Sequence, residues 1–125
     1  CDLPLPENLE GISLVPLMEN PGTPWKKAAF SQDNSRRSGI MGYTMRTDRY
    51  RYTEWMSPRN TMMGRELYDH ERDPGETVNL AVGDENAGLV ERLSRMLHAG
   101  WKAALPPGHG LSGDGSAGSY LDTIR

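Results

Sequence analysis

The chain has 125 residues, about one domain's worth, and Leu, Ile, Val and Phe supply only 21 of them, so a thin core is expected with part of the chain outside it. Fourteen basic against seventeen acidic side chains leave a formal charge of -3, which excludes broad electrostatic binding to nucleic acid or to an anionic membrane. A single cysteine excludes an intrachain disulfide framework and a multi-cysteine zinc site, and no apolar run approaches the roughly 18–20 residues of a membrane span.

Residues 1–25 carry Pro4, Pro6, Pro16, Pro21 and Pro24. Proline lacks an amide donor and fixes φ, so an extended connector is expected here, not a regular helix or a central strand. Residues 26–105 read as one sheet-plus-helix unit. Ala28 to Gln32 is a short strand candidate, and Asp33 to Gly39 is a polar loop. From Ile40 to Arg46 the side chains alternate, so that Met41, Tyr43 and Met45 share one face and Gly42, Thr44 and Arg46 the other. Thr47-Asp48-Arg49 is a compact turn, and Tyr50 to Trp55 alternates aromatic or Thr with charge; the two runs predict an antiparallel hairpin. Met56 to Gly64, containing Pro58, is expected as a loop, and Glu66 to Asp69 as a short last strand.

Asp73-Pro74-Gly75 is a turn signal, because Pro presets φ and Gly permits positive φ. From Asp84 to Leu105 the apolar residues Leu89, Leu93, Met96, Leu97, Trp101 and Ala104 form the stripe of an amphipathic helix. Asp84 or Asn86 is positioned to cap its start, Glu91 and Arg95 form an i,i+4 pair, and Pro106-Pro107 ends it. Residues 106–125 hold five glycines interspersed with serines and are expected to be a flexible tail. The predicted fold class is α+β: a small antiparallel β-sheet of three to four strands packed against one C-terminal amphipathic helix.

The chemistry-bearing residues are sparse. His70, His98 and His109 lie far apart and at no zinc spacing, so no metal site is expected within the chain; His98 is placed in solvent or at the edge of the core. No Gly-rich phosphate loop and no G-x-S-x-G nucleophile motif is present. Glu66, Asp69, Glu71 and Asp73 cluster around the last strand, either as an acid–base pair or, the stronger reading, as acceptors for backbone amides in turns. Arg36 and Arg37 are adjacent guanidiniums in the first loop, suited to a sulfate, carboxylate or phosphate on a ligand, or else simply solvated. Arg46, Arg49 and Arg51 along the hairpin are expected to cover apolar surface with their stems and pair with carboxylates. Met62-Met63 either lines a groove or covers the sheet.

Three phrases, in order, resemble the type I sulfatases. Gly11-Ile12-Ser13-Leu14-Val15-Pro16-Leu17 resembles their G-x-S-L-x-P-L segment, just before the C-terminal subdomain. Ile40 to Trp55 is similar to the hairpin of iduronate-2-sulfatase-like members. Glu66-Leu67-Tyr68-Asp69, then Asp73-Pro74, Glu76 and Asn79-Leu80, resembles the E-L-Y-D-x-x-x-D-P-x-E-x-x-N-L run that closes many of them. The resemblance covers about residues 1–105. It implies a C-terminal subdomain with a four-stranded antiparallel sheet against a helix, belonging beside a large catalytic domain of the alkaline phosphatase type.

The resemblance also implies what this chain lacks. The family's nucleophile is a formylglycine made from a C/S-x-P/A-x-R motif. Cys1 is followed by Asp2, Leu3, Pro4 and Leu5, so it is not that residue. Asp33-Asn34 resembles a calcium-ligand pair but falls after the G-x-S-L-x-P-L phrase, whereas the family's ligands precede it. Calcium and formylglycine are therefore expected in an N-terminal domain of the parent protein, and no catalytic residue is expected in this chain. The start at Cys1, without methionine, is expected to reflect processing or truncation, and the chain alone is expected to be inactive.

In the parent, this region would close one side of a pocket for a sulfated carbohydrate. Arg36 and Arg37 are the candidates for touching the sugar's anionic groups. The implied location is exported: periplasmic, extracellular or lysosomal. Two other readings stand beside this one, a stand-alone β-sheet binding module and a non-functional gene fragment.

Overall fold

The computed structural model describes residues 11–34 and 39–106. Residues 1–10, the loop residues 35–38 with Arg36 and Arg37, and the tail from 107 onward with His109 lie outside the described residues.

Four strands form an antiparallel meander in the order β1-β2-β3-β4: β1 Ala29–Asn34, β2 Met41–Arg46, β3 Tyr50–Met56 and β4 Met62–Asp69. The expected alternation sets the register. Met45 faces Tyr52 across β2 and β3, and Tyr52 faces Leu67 across β3 and β4, so one face of the sheet carries a row of fully buried side chains. The β2–β3 turn is closed by the Thr47 amide donating to the Tyr50 carbonyl at 2.9 Å, and by the Tyr50 amide donating to Thr47 Oγ1 at 2.9 Å. A threonine there satisfies both chain directions of a tight turn.

The last strand is longer than expected. It begins at Met62, because the loop after β3 needs only Ser57 to Thr61 to reverse the chain. The Ser57 amide donates to the Thr61 carbonyl at 2.9 Å, and Ser57 Oγ accepts the amides of Arg59 and Thr61. Asn60 takes φ 60°, the left-handed conformation that Asn tolerates better than most residues. Beyond that loop Met62 pairs with Met56, past a register irregularity at Trp55 and Met56.

A five-residue helix, α1 (Val15–Glu19), lies in the segment expected to be non-helical. Pro16 sits in its first turn, where a missing amide costs nothing because that amide has no intrahelical acceptor.

The long helix, α2, runs Ala87–Ala103 and starts three residues after Asp84. Asn86 occupies the N-cap position but does not cap with its side chain; its Nδ2 donates instead to the Leu80 carbonyl at 3.2 Å. Gly100 takes φ 76°, which interrupts helical geometry before a last turn at Trp101. The Lys27 amide donates to the Ala104 carbonyl at 3.1 Å, tying the end of the helix to the chain entering β1.

Val90, Leu93 and Leu97 of α2 pack on Tyr43, Met45, Tyr52, Met56 and Leu67 of the sheet. Each fully buried large side chain contributes roughly 1.5–3 kcal/mol by transfer from water. The opposite sheet face carries Gly42, Thr44, Arg51, Thr53, Trp55, Glu66 and Tyr68, by the same alternation. An α+β unit with one four-stranded sheet and one C-terminal helix is therefore the observed architecture, as the sequence predicts.

Candidate functional site

Three polar regions are built on this frame. The first lies between sheet and helix. Glu54 points to the core face of β3 and is 1 % exposed. A buried carboxylate is costly unless its oxygens accept hydrogen bonds. Glu54 Oε1 accepts from the Tyr52 hydroxyl at 2.8 Å and from Ser94 Oγ at 2.7 Å, and Oε2 accepts from His98 Nε2 at 2.7 Å. Arg65, its cross-strand neighbour on β4, stands 4.0 Å away. Burial pushes the Glu54 carboxyl upward, but the bonds from Ser94, His98 and Tyr52 outweigh it and leave it below the usual carboxylate value. Burial, then the bond to Glu54, raises the Tyr52 hydroxyl and keeps it a donor.

His98 is thus a partner of a buried acid, not merely a residue at the core's edge. Glu54 shares the core face of Tyr52 and Met56, and Ser94 and His98, four apart on one face of α2, meet it there. A cleft of about 380 Å³ opens beside Ser94, between Arg65, Asp84, Glu91 and Arg95.

The second region is the end of the sheet at the β2–β3 turn. Arg49 donates to Asp69 through Nε at 2.9 Å and Nη2 at 2.6 Å, a bidentate pair, and Nη1 lies 2.7 Å from Glu71. The bonds from Arg49 hold the Asp69 carboxyl below its usual value. Arg51 pairs with Glu76 and stacks over Tyr68 at 5.1 Å, while His70 Nε2 lies 2.5 Å from Glu76. Asp73 accepts the Val78 amide at 2.9 Å and the Thr77 hydroxyl at 3.0 Å. Glu66 accepts the Trp55 indole N–H at 3.0 Å. The expected carboxylate cluster is therefore occupied in structural bonds, and two of the three hairpin arginines, Arg49 and Arg51, hold carboxylates as expected. Arg46 instead donates to the Thr47 carbonyl.

The third region is the opposite end of the sheet. β1 ends there at Asn34 and β2 begins at Met41, so the segment holding Arg36 and Arg37 leaves and re-enters at this end. Those two arginines themselves lie outside the described residues. Gly39 sits against Pro58 of the β3–β4 loop: a Cβ on Gly39 would meet Pro58 Cγ at 3.0 Å, and Gly39 takes φ 65°. The two loops therefore touch.

Among the described residues no group of three or more His, Cys, Asp or Glu is arranged to hold a metal ion. Asp33 and Asn34 end β1 with no such third donor, so the chain's described residues do not fit a calcium site. No helix among them is long and apolar enough to cross a membrane.

Comparison with known proteins then places the chain. No curated protein compared with it matches at a significant level. Among solved structures it is similar to a protein assigned as a sulfatase from Bacteroides thetaiotaomicron VPI-5482, with 29% identity, a TM-score of 0.58, and coverage of 76% of this chain and 20% of that one. It is also similar to a protein solved in complex with its substrate D-glucosamine-2-N,6-O-disulfate, with 29% identity, a TM-score of 0.62 and the same coverages of 76% and 20%. The chain thus spans about a fifth of the length of either structure. The model of the family described as N-sulphoglucosamine sulphohydrolase, C-terminal, matches residues 1–102. With that match over most of its length and the meander-and-helix fold beneath it, the chain belongs to this family of sulfatase C-terminal subdomains.

Proposed function

We propose that the chain is the C-terminal portion of a sulfatase that hydrolyses sulfate esters on a carbohydrate, and that it shapes and supports the substrate pocket without breaking bonds itself. The observation that carries this reading is the family match over residues 1–102. The relative solved with D-glucosamine-2-N,6-O-disulfate points to a sulfated glucosamine as the substrate class. Calcium and formylglycine would belong to the preceding catalytic domain and would supply the nucleophile and charge stabilisation for attack on sulfur.

The partner within the parent is that catalytic domain. Leu14, Val15 and Met18 of the α1 region are exposed, as are Val78 and Val82 beyond β4, which suits burial against a larger neighbour. The role proposed for Arg36 and Arg37 is contact with the sugar's anionic groups. Support comes from their place in the chain, two adjacent guanidiniums between β1 and β2, of a chemistry suited to sulfate and carboxylate oxygens. An exported location accompanies the sulfatase reading.

The test is sulfate release from D-glucosamine-2-N,6-O-disulfate by the full-length protein. Release is expected. A folded full-length protein that frees no sulfate from any sulfated glucosamine would remove the reading.

A further inference from the structure

We propose that the cleft between β4 and the first half of α2 binds a sulfated hexosamine with an unmodified amine, Arg65 taking the sulfate and Asp84 the ammonium. The choice of a sulfated sugar rests on the sulfatase reading above and deepens it.

The cleft measures about 380 Å³, within the size range of small-ligand sites. Buried Val90 and the methyl groups of Ala81 and Ala87 give it an apolar lining on which the C–H face of a sugar ring can rest. Four charged residues also line it. Glu91 and Arg95 neutralise each other at 2.6 Å. Arg65, from β4, reaches only to 4.0 Å from Glu54, too far for a hydrogen bond, and its guanidinium donates none among the described residues. Asp84 comes from the segment before α2, and among the described residues its carboxylate accepts no hydrogen bond and joins no ion pair. One cation and one anion are thus left open toward a shared cavity. A ligand bearing both charges matches them, whereas a purely anionic one is repelled by Asp84.

Ser94 sharpens the match. It gives its one hydroxyl proton to the ionised Glu54 at 2.7 Å, so toward the cleft its oxygen can only accept, from an ammonium or a sugar hydroxyl. The planar fork of Arg65 fits the oxygens of a sulfate. The segment carrying Asp84 is held at both ends. Asn79 Oδ1 accepts the Ala81 amide at 3.0 Å, Asn86 Nδ2 donates to the Leu80 carbonyl at 3.2 Å, and the Ala87 amide donates to the Asp84 carbonyl at 3.1 Å. Between them Gly83 turns the chain with φ 96°, a conformation that glycine adopts without steric cost. A site fixed before binding loses less freedom when the ligand enters.

The experiment titrates the full-length protein, labelled at its alanine methyls, with the 6-deoxy-6-sulfonate of glucosamine, whose C–S bond is not a hydrolysable ester. The Ala81 and Ala87 methyl resonances are expected to shift with a Kd of about 1 mM or tighter. Arg65→Ala is expected to weaken binding about tenfold or more, the loss of one charge-assisted contact. The wild type is expected to prefer this probe over the corresponding glucose sulfonate, which has a hydroxyl in place of the amine. Asp84→Asn, which keeps the backbone carbonyl, is expected to abolish that preference. Taurine, a zwitterionic sulfonate without a ring, is expected to bind about tenfold more weakly. Methyls that stay in place up to about ten times the expected Kd would overturn the proposal. So would an amine preference unchanged in Asp84→Asn, or taurine binding as tightly as the sugar. Sulfate release from D-glucosamine-2-N,6-O-disulfate by the same wild-type protein judges the sulfatase reading separately. Release with unshifted methyls sinks this site alone; shifted methyls without release support the site and remove that reading.

Discussion

Glu54 of β3 and His98 of α2 lie 2.7 Å apart across the interface between sheet and helix. The acid is buried and the imidazole 40 % exposed, so the pair joins the core to solvent at the middle of the helix. Together with Ser94 and Tyr52 it anchors α2 through polar contacts inside an otherwise apolar seam. Glu54→Ala leaves three donors facing an apolar gap and is expected to cost about 3 kcal/mol. His98→Ala removes one exposed donor and is expected to cost about 1 kcal/mol. Urea unfolding followed by helix signal checks both, and equal midpoints for Glu54→Ala and wild type would refute the anchoring role.

Two buried carboxylates, one in this cluster and one at the β2–β3 end of the sheet, set an acid limit. The carboxyls of Glu54 and Asp69 both sit below their ordinary values in the folded chain. A depressed group stabilises the fold above its unfolded pKa, and that stability is lost as pH falls through the folded value. Stability is therefore expected to decline from about pH 4–5 downward. Denaturant midpoints measured against pH should show the decline, and Asp69→Asn should flatten it.

On the other sheet face, the Trp55 ring lies over Gly42. A Cβ added at Gly42 would stand 2.7 Å from Trp55 Cζ3. Gly42→Ala must displace the indole and strain its hydrogen bond to Glu66, at an expected cost of about 1–3 kcal/mol. Tryptophan fluorescence should shift with the unfolding midpoint. An unchanged spectrum and midpoint would show that the ring moves freely.

Asn79 straps the outer edge of β4. Its Oδ1 accepts the amides of Leu67 and Ala81, each at 3.0 Å, and its Nδ2 donates to the Arg65 carbonyl at 3.0 Å. Asn79→Ala frees that edge, and hydrogen exchange at the Leu67 amide is expected to accelerate by about tenfold or more. Protection equal to wild type would show that another group holds the edge.

The sheet is legible in the sequence because Met41, Tyr43 and Met45, then Tyr50 to Trp55, alternate over a single turn and leave one pairing register. The helix is legible from Leu89, Leu93 and Leu97. The start of β4 is not, because Met62 and Met63 carry weak strand preference and only the fold of the Ser57–Thr61 loop brings them into register. The α1 turn is hidden by Pro16, which is compatible with a first helical turn as readily as with extended chain. Glu54 reads as a surface charge in a charged alternating strand, and its burial follows only once Ser94 and His98 are set over it by α2.

The central claim is that this subdomain completes a sulfatase pocket without performing the chemistry. The direct test expresses residues 1–125 and the preceding part of the parent separately, and measures sulfate release from disulfated glucosamine by each alone and by the mixture. The account predicts release by the mixture and none by residues 1–125. Sulfate release by residues 1–125 alone, or undiminished release by the preceding part without them, would contradict it.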